Sequence, residues 1–121
     1  MKMKFTTTSK TVPIQLENKQ GAIEEYELRE MDAATRDKYM DSLMPRMRMD
    51  KDGKPAGVSR FDGMQADLLT HTLWNKDGLA VRKDVIQSWP ASTVSALFQE
   101  AQKLNLLNSA VEEVLEEAKK A

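Results

Sequence analysis

The stretch TVPIQLENKQGAIEEYELRE, residues 11–30, decides the fold class. Val12, Ile14 and Leu16 alternate with Pro13 and Gln15, and Tyr26 and Leu28 alternate with charged residues, so the period is two on both sides of ENKQG. The reading is a β-hairpin, with Gly21 supplying the positive φ that its turn needs. Pro13 has no N–H, which places the first strand at an edge with that position facing solvent. A lone two-stranded hairpin is marginal in water, so helices must cover one of its faces.

Those helices follow in the sequence. Asp32 is placed to cap a helix through DAATRDKYMDSLM, residues 32–44, in which Ala33, Tyr39 or Met40, Leu43 and Met44 recur at helical spacing, and Pro45 ends it. Residues 47–59, MRMDKDGKPAGVS, hold Gly53, Pro55 and Gly57 and read as a mobile loop. Ser59 followed by Asp62 resembles a capping box, and Phe61, Met64, Leu68, Leu69 and Leu73 form the stripe of a second helix, which NKDG stops with Gly78 in a left-handed cap. Pro90 suits the first position of a third helix, whose stripe is Val94, Leu97, Phe98, Ala101 and Leu104. A break falls at Asn105 to Asn108, and a last helix from Asn108 or Ser109 carries Val111, Val114, Leu115 and Ala118. The expected architecture is one α+β domain over residues 1–121: a flexible N-terminal segment at 1–10, then a small N-terminal antiparallel β-hairpin packed by about four α-helices.

Composition sets the outer bounds. A chain of 121 residues suits one core. It has no Cys, which excludes a disulfide framework and fits a reducing compartment, so the cytoplasm is the expected location. MKMKFTTTSK lacks an apolar export core, and no stretch reaches the length of a membrane span. Eighteen basic and nineteen acidic side chains leave a net charge of -1, which offers no general attraction to nucleic acid.

Tests for chemistry return little. With Gly78 sixth in an EF-hand loop the first ligand position falls on Leu73; with Gly53 sixth it falls on Arg48 and the twelfth on Ser59. His71 is the single histidine and reads as a half-exposed helix residue, since no nucleophile or orienting group accompanies it. In EEYE, residues 24–27, Glu25 and Glu27 share the strand face opposite Tyr26 and read as a solvated face. There is no P-loop and no G-x-G-x-x-G. PASTVSALFQEAQKL, residues 90–104, carries one Lys and one Glu, too little charge for a recognition helix. No catalytic residue, metal site or cofactor is expected.

Methionine is the unusual feature, with eight in all. Flexible thioethers fill irregular cores, which accounts for Met40, Met44 and Met64, and they also make surfaces that accept varied apolar partners. Met47 and Met49 alternate with Arg46 and Arg48 beside the Gly/Pro segment, where burying both is difficult. Together with Met44 they make an apolar, basic lip, and Met44, Arg46, Met47, Arg48 and Met49 are the candidate partner-binding residues. A partner helix with an acidic flank would suit them.

Taken together, LREMDAATRDKYM (28–40), DGMQADLLTHTLWNKDG (62–78) and VIQSWPASTVSALFQEAQKLNLL (85–107) resemble the tail assembly chaperones of long-tailed bacteriophages and prophages. The likeness lies in their order: hairpin, charged helix, Gly/Pro loop, a helix ending in an acidic Gly turn, then a Trp-Pro helix start and a Leu-Asn break, over residues 12–108. It implies a non-enzymatic protein of the host bacterial cytoplasm that binds the tape measure protein and keeps it soluble until the tail tube protein polymerises around it. It also implies several copies per tape measure, contact with the tail tube protein and self-association, without assigning binding residues. The alternative is another phage structural or connector component retained in the virion. The family often makes a longer, frameshifted form, and Lys119-Lys120 could be encoded by an A-rich slippery run; a favourable interaction with a helix dipole explains that pair more simply.

Overall fold

The structure, a computed structural model, describes residues 2–107. In chain order its elements are β1 (Thr11–Glu17), β2 (Ile23–Arg29), α1 (Ala33–Leu43), a 3-10 turn (Met44–Arg46), β3 (Met47–Met49), β4 (Pro55–Val58), α2 (Met64–Thr72), β5 (Leu73–Asn75), α3 (Lys83–Gln87) and α4 (Ala91–Leu104). The antiparallel hairpin with helices is there, and the fold is α+β. Ile14 stands opposite Tyr26 and Val12 opposite Leu28, the face that the alternation assigns to the interior. β1 is an edge strand, as Pro13 requires, and Gly21 has φ +81.

The hairpin gains a third strand that the periodicity did not reveal. β5 pairs antiparallel with β2, setting Leu73 beside Leu28 and Asn75 beside Tyr26, in the order β1-β2-β5. Leu73 was expected as the last residue of a helix stripe and is instead a fully buried strand residue. One apolar residue at a helix end satisfies either period, and pairing with Leu28 decides it. NKDG accordingly turns the strand back on itself and does not cap a helix: Asn75 N–H donates to Leu79 O (2.8 Å), Val81 N–H donates to Leu73 O (3.0 Å), and Trp74 bridges Ala80.

Three turns share this construction. Asn18-Lys-Gln-Gly21, Asp50-Lys-Asp-Gly53 and Asn75-Lys-Asp-Gly78 each open on a side chain whose oxygen accepts from the backbone N–H groups two and four residues on, at 2.9–3.0 Å. The closing glycines have φ of +81, +77 and +77. An Asx oxygen that organises the loop and a glycine free of Cβ strain suffice to reverse the chain in five residues.

The core lies between the inner sheet face and the helices. Leu28, Leu68, Leu69, Leu73, Ile86 and Leu107 are buried almost completely, with Tyr39, Leu97, Phe98 and Ala101 around them. Each such aliphatic side chain contributes about 1.5–3 kcal/mol over its exposed state. Asp32 caps α1 as expected, accepting from Thr35 N–H at 2.8 Å, and those hydrogen bonds hold its carboxyl below the ordinary range. The break after α4 also falls where expected, at Asn105 and at Leu106 with φ +56. Asn105 ties the end of α4 to the β2–α1 connection: its Oδ1 accepts from Met31 N–H at 2.7 Å and its Nδ2 donates to Ala101 O at 2.8 Å.

Four expectations need correction or placement. Residues 47–59, expected as a loop, contain β3 and β4 paired antiparallel, because the Asp50–Gly53 turn closes them and Met47 and Met49 face Val58 and Pro55. The Ser59/Asp62 capping box does not form: Gly63, at φ +73, interrupts the helical run, α2 starts at Met64, and Ser59 donates through Oγ to Arg46 O. The short α3 was not anticipated; five residues are too few for a periodic signal. The helix expected from Asn108 or Ser109 lies outside the described residues.

Candidate partner-binding surface

The five candidate residues lie together in the chain, yet the structure divides them into an anchor and an exposed set. Arg46 is the anchor. Its Nη2 meets Asp67 Oδ2 at 2.7 Å, and its Nη1 donates to the carbonyls of Asp62 (2.6 Å) and Arg60 (3.4 Å). Lys83 Nζ takes the other Asp67 oxygen at 2.9 Å, so one carboxylate on α2 gathers the root of β3 and the start of α3. With 16% of its side chain exposed, Arg46 is committed internally, and a planar, five-donor guanidinium suits that role.

The other four occupy the surface to differing degrees. Met44 is 51% exposed and Met49 41%, while Met47 is half-buried opposite Val58. Arg48 is exposed and donates to Ala56 O at 3.0 Å, bracing β3 against β4. β3 and β4 form a sheet of their own, apart from β1-β2-β5. Their hairpin is therefore an arm rooted at Arg46.

Two grooves flank Trp89, which precedes Pro90; Pro90, expected as the first residue of the helix, is extended and sits at the N-cap of α4. One, of about 420 Å³, is lined by the apolar Phe61, Met64, Trp89 and Val94 and by the amides of Gln65 and Gln87. The other, of about 620 Å³, runs between Trp89-Pro90 and the first hairpin, where Leu16, Glu24 and Tyr26 line it. Tyr26 meets Trp89 edge-on, centroids 5.8 Å apart. Glu24 accepts from Asn18 Nδ2 and from Tyr26 Oη, both at 2.9 Å, which holds its carboxyl below the ordinary range. Burial, then the same carboxylate, push the Tyr26 hydroxyl up to about 12.

Sequence reasoning misplaced Phe61, and also Met44, assigned to the core and 51% exposed. Phe61 was counted in a core stripe and is 69% exposed at the groove rim. Asp62-Gly63, a turn dipeptide just ahead of Met64, was the available signal. His71 is exposed on α2, its ring 6.4 Å from Tyr39. Glu25 and Glu27 point away from Tyr26's face: Glu25 accepts from Gln15, and Glu27 pairs with Arg29, whose guanidinium lies 4.6 Å from the Trp74 ring centroid.

No protein-family model matches the chain, and neither does any curated protein or solved structure. Among the described residues, no helix is long and apolar enough to cross a membrane.

Proposed function

We propose that this protein is a phage tail assembly chaperone, a non-enzymatic protein of the host bacterial cytoplasm that binds the tape measure protein and keeps it soluble while the tail tube polymerises. Two things support the reading: the ordered resemblance over residues 12–108, and the apolar side chains left on the surface of a chain that has a well-filled core. Phe61 carries most weight. It stands 69% exposed and lines a groove that Met64, Trp89 and Val94 share with Gln65 and Gln87.

The physical requirement is reversible cover for long apolar helical faces. A helix laid across the groove would insert an apolar anchor beside Phe61, contributing about 1.5–3 kcal/mol of burial. Many such weak contacts along one cargo hold it firmly, yet release one at a time. Co-expression with the tape measure protein is the test: the pair should co-purify, Phe61→Ser should reduce recovery of soluble tape measure, and mass spectrometry of finished virions should lack this chain. A tape measure equally soluble without it would refute the proposal.

A further inference from the structure

We propose that the groove between Trp89 and the first hairpin is a second subsite, which takes a basic side chain, arginine ahead of lysine, from the same helix whose apolar anchor enters the groove beside Phe61. The inference rests on the tape measure reading and names the cargo segment it requires: a helix with an apolar and a basic residue on one face.

The two grooves differ in charge. Among the described residues, the Phe61 groove is lined without an ionisable side chain. The other is lined by Glu17 and Glu24 together with Lys19. The start of α4 at its border adds about half a positive charge, so the two carboxylates still leave this groove negative.

Glu24 is the central group. It stands opposite Leu16 on the inner face of the hairpin, two residues before Tyr26, where strand alternation calls for an apolar side chain. Its bonded partners, Asn18 and Tyr26, are neutral donors, each on a different oxygen, so both oxygens keep acceptor capacity. Lys76 acts on it only weakly through space, and among the described residues no salt bridge reaches it. An anion oriented by neutral donors is ready for a cation from outside.

The aromatic walls favour the same ligand. Tyr26 and Trp89 both line the groove, and their rings meet at 77° with centroids 5.8 Å apart. Two rings nearly at right angles beside a carboxylate make a corner that attracts a cation through ring faces and charge together. A guanidinium suits it better than an ammonium, being planar, able to stack on a ring and richer in donors. The protein uses this combination elsewhere: Arg29 bonds Glu27 and lies 4.6 Å from the Trp74 ring centroid. Placement supplies the link to the cargo. Trp89 borders both grooves, and the start of α4 is divided between them, Ala91 and Val94 lining one and Pro90 and Thr93 the other. A helix lying across Trp89 reaches both with side chains about one or two turns apart.

Overlapping peptides covering the tape measure protein, titrated with the whole chain by fluorescence anisotropy, test this. Those that bind should pair an apolar residue with Arg or Lys at that spacing, and exchanging the base for Gln should weaken binding about tenfold. Glu24→Gln should erase the difference between the two peptides, whereas Glu25→Gln, on the other face of β2, should preserve it, with circular dichroism confirming that both variants fold. Binding without regard to a basic residue, or a preference that survives Glu24→Gln, overturns this proposal and leaves the tape measure reading standing. If no peptide binds, both fall.

Discussion

The two hairpins are built on the same kind of turn and differ in what covers them. In the first, the Asn18–Gly21 turn joins seven-residue strands whose inner face buries Leu28 against β5 and the helices. In the arm, the Asp50–Gly53 turn joins strands of three and four residues that pair with nothing else among the described residues. Equal local chemistry therefore leads to unequal stability, because a turn sets the register while burial supplies most of the free energy. The first hairpin is a structural wall; the arm is a projection whose exposed side chains are free to serve contact.

The largest test of that difference is deletion of an apolar side chain from each. Leu28→Ala, at a fully buried position opposite Leu73, should cost about 2–5 kcal/mol in denaturant unfolding, and Met49→Ala should stay within about 0.5 kcal/mol of the parent. A large global loss for Met49→Ala would mean that the arm belongs to the core.

Next comes the root. Arg46→Ala removes three charge-assisted bonds and leaves Asp67 with Lys83, an arrangement partly screened by solvent, so about 1–2 kcal/mol is expected. The effect should be local, with faster proteolysis within residues 47–58 and little change in the helices. If the arm keeps its protection, something other than Arg46 holds it.

Much of this contrast was legible in the sequence, and the remainder has definite causes. A period of two across the first hairpin, Gly21 in its turn, the Asp32 cap and the stripe of α4 after Pro90 all read correctly, because each signal is longer than the ambiguity it must overcome. β3, β4, β5 and α3 were missed because three to five residues carry no period. The exposure of Met49 was legible, since a methionine between an arginine and an aspartate beside glycines is hard to bury, whereas the half-burial of Met47 against Val58 was not. That Arg46 would be consumed internally was not, because Asp67 is 21 residues away and only the packing of α2 brings it near.

A smaller effect comes from the matched glycines. Gly21 and Gly53 have φ of +81 and +77, and an added Cβ would meet only Glu17 Oε1 at 3.7 Å in the first case and open space in the second. Alanine at either costs about 1 kcal/mol in backbone strain alone. Gly21→Ala should lower the global melting temperature, since the first hairpin unfolds with the core. Gly53→Ala should leave it unchanged and speed amide exchange at Asp50, Gly53 and Lys54, the N–H groups closing that turn. Equal shifts in global melting from both would show that the arm and the body unfold as one unit.

The smallest expected effect is acid sensitivity of the body. Glu24, held by Asn18 and Tyr26, and Asp32, held by Thr35, both have carboxyls lowered from ordinary values of 4.5 and 3.8. An acid whose folded pKa is depressed binds its proton first in the unfolded chain, so its stabilisation is complete above the unfolded pKa and is lost as pH falls through the folded one. Thermal melts should therefore be flat down to about pH 5 and decline below it. Asp32→Asn keeps an N-cap acceptor, and Glu24→Gln keeps an acceptor for Asn18, without the titrating charge. Each should make the decline shallower, and the pair shallower still, since the two sites share no hydrogen-bond partner. Both groups belong to the first hairpin and the helix that follows it, so arm exchange rates, corrected for intrinsic chemistry, should not follow the slope; if they do, the arm's stability is set by the body and the contrast between the hairpins narrows to exposure alone.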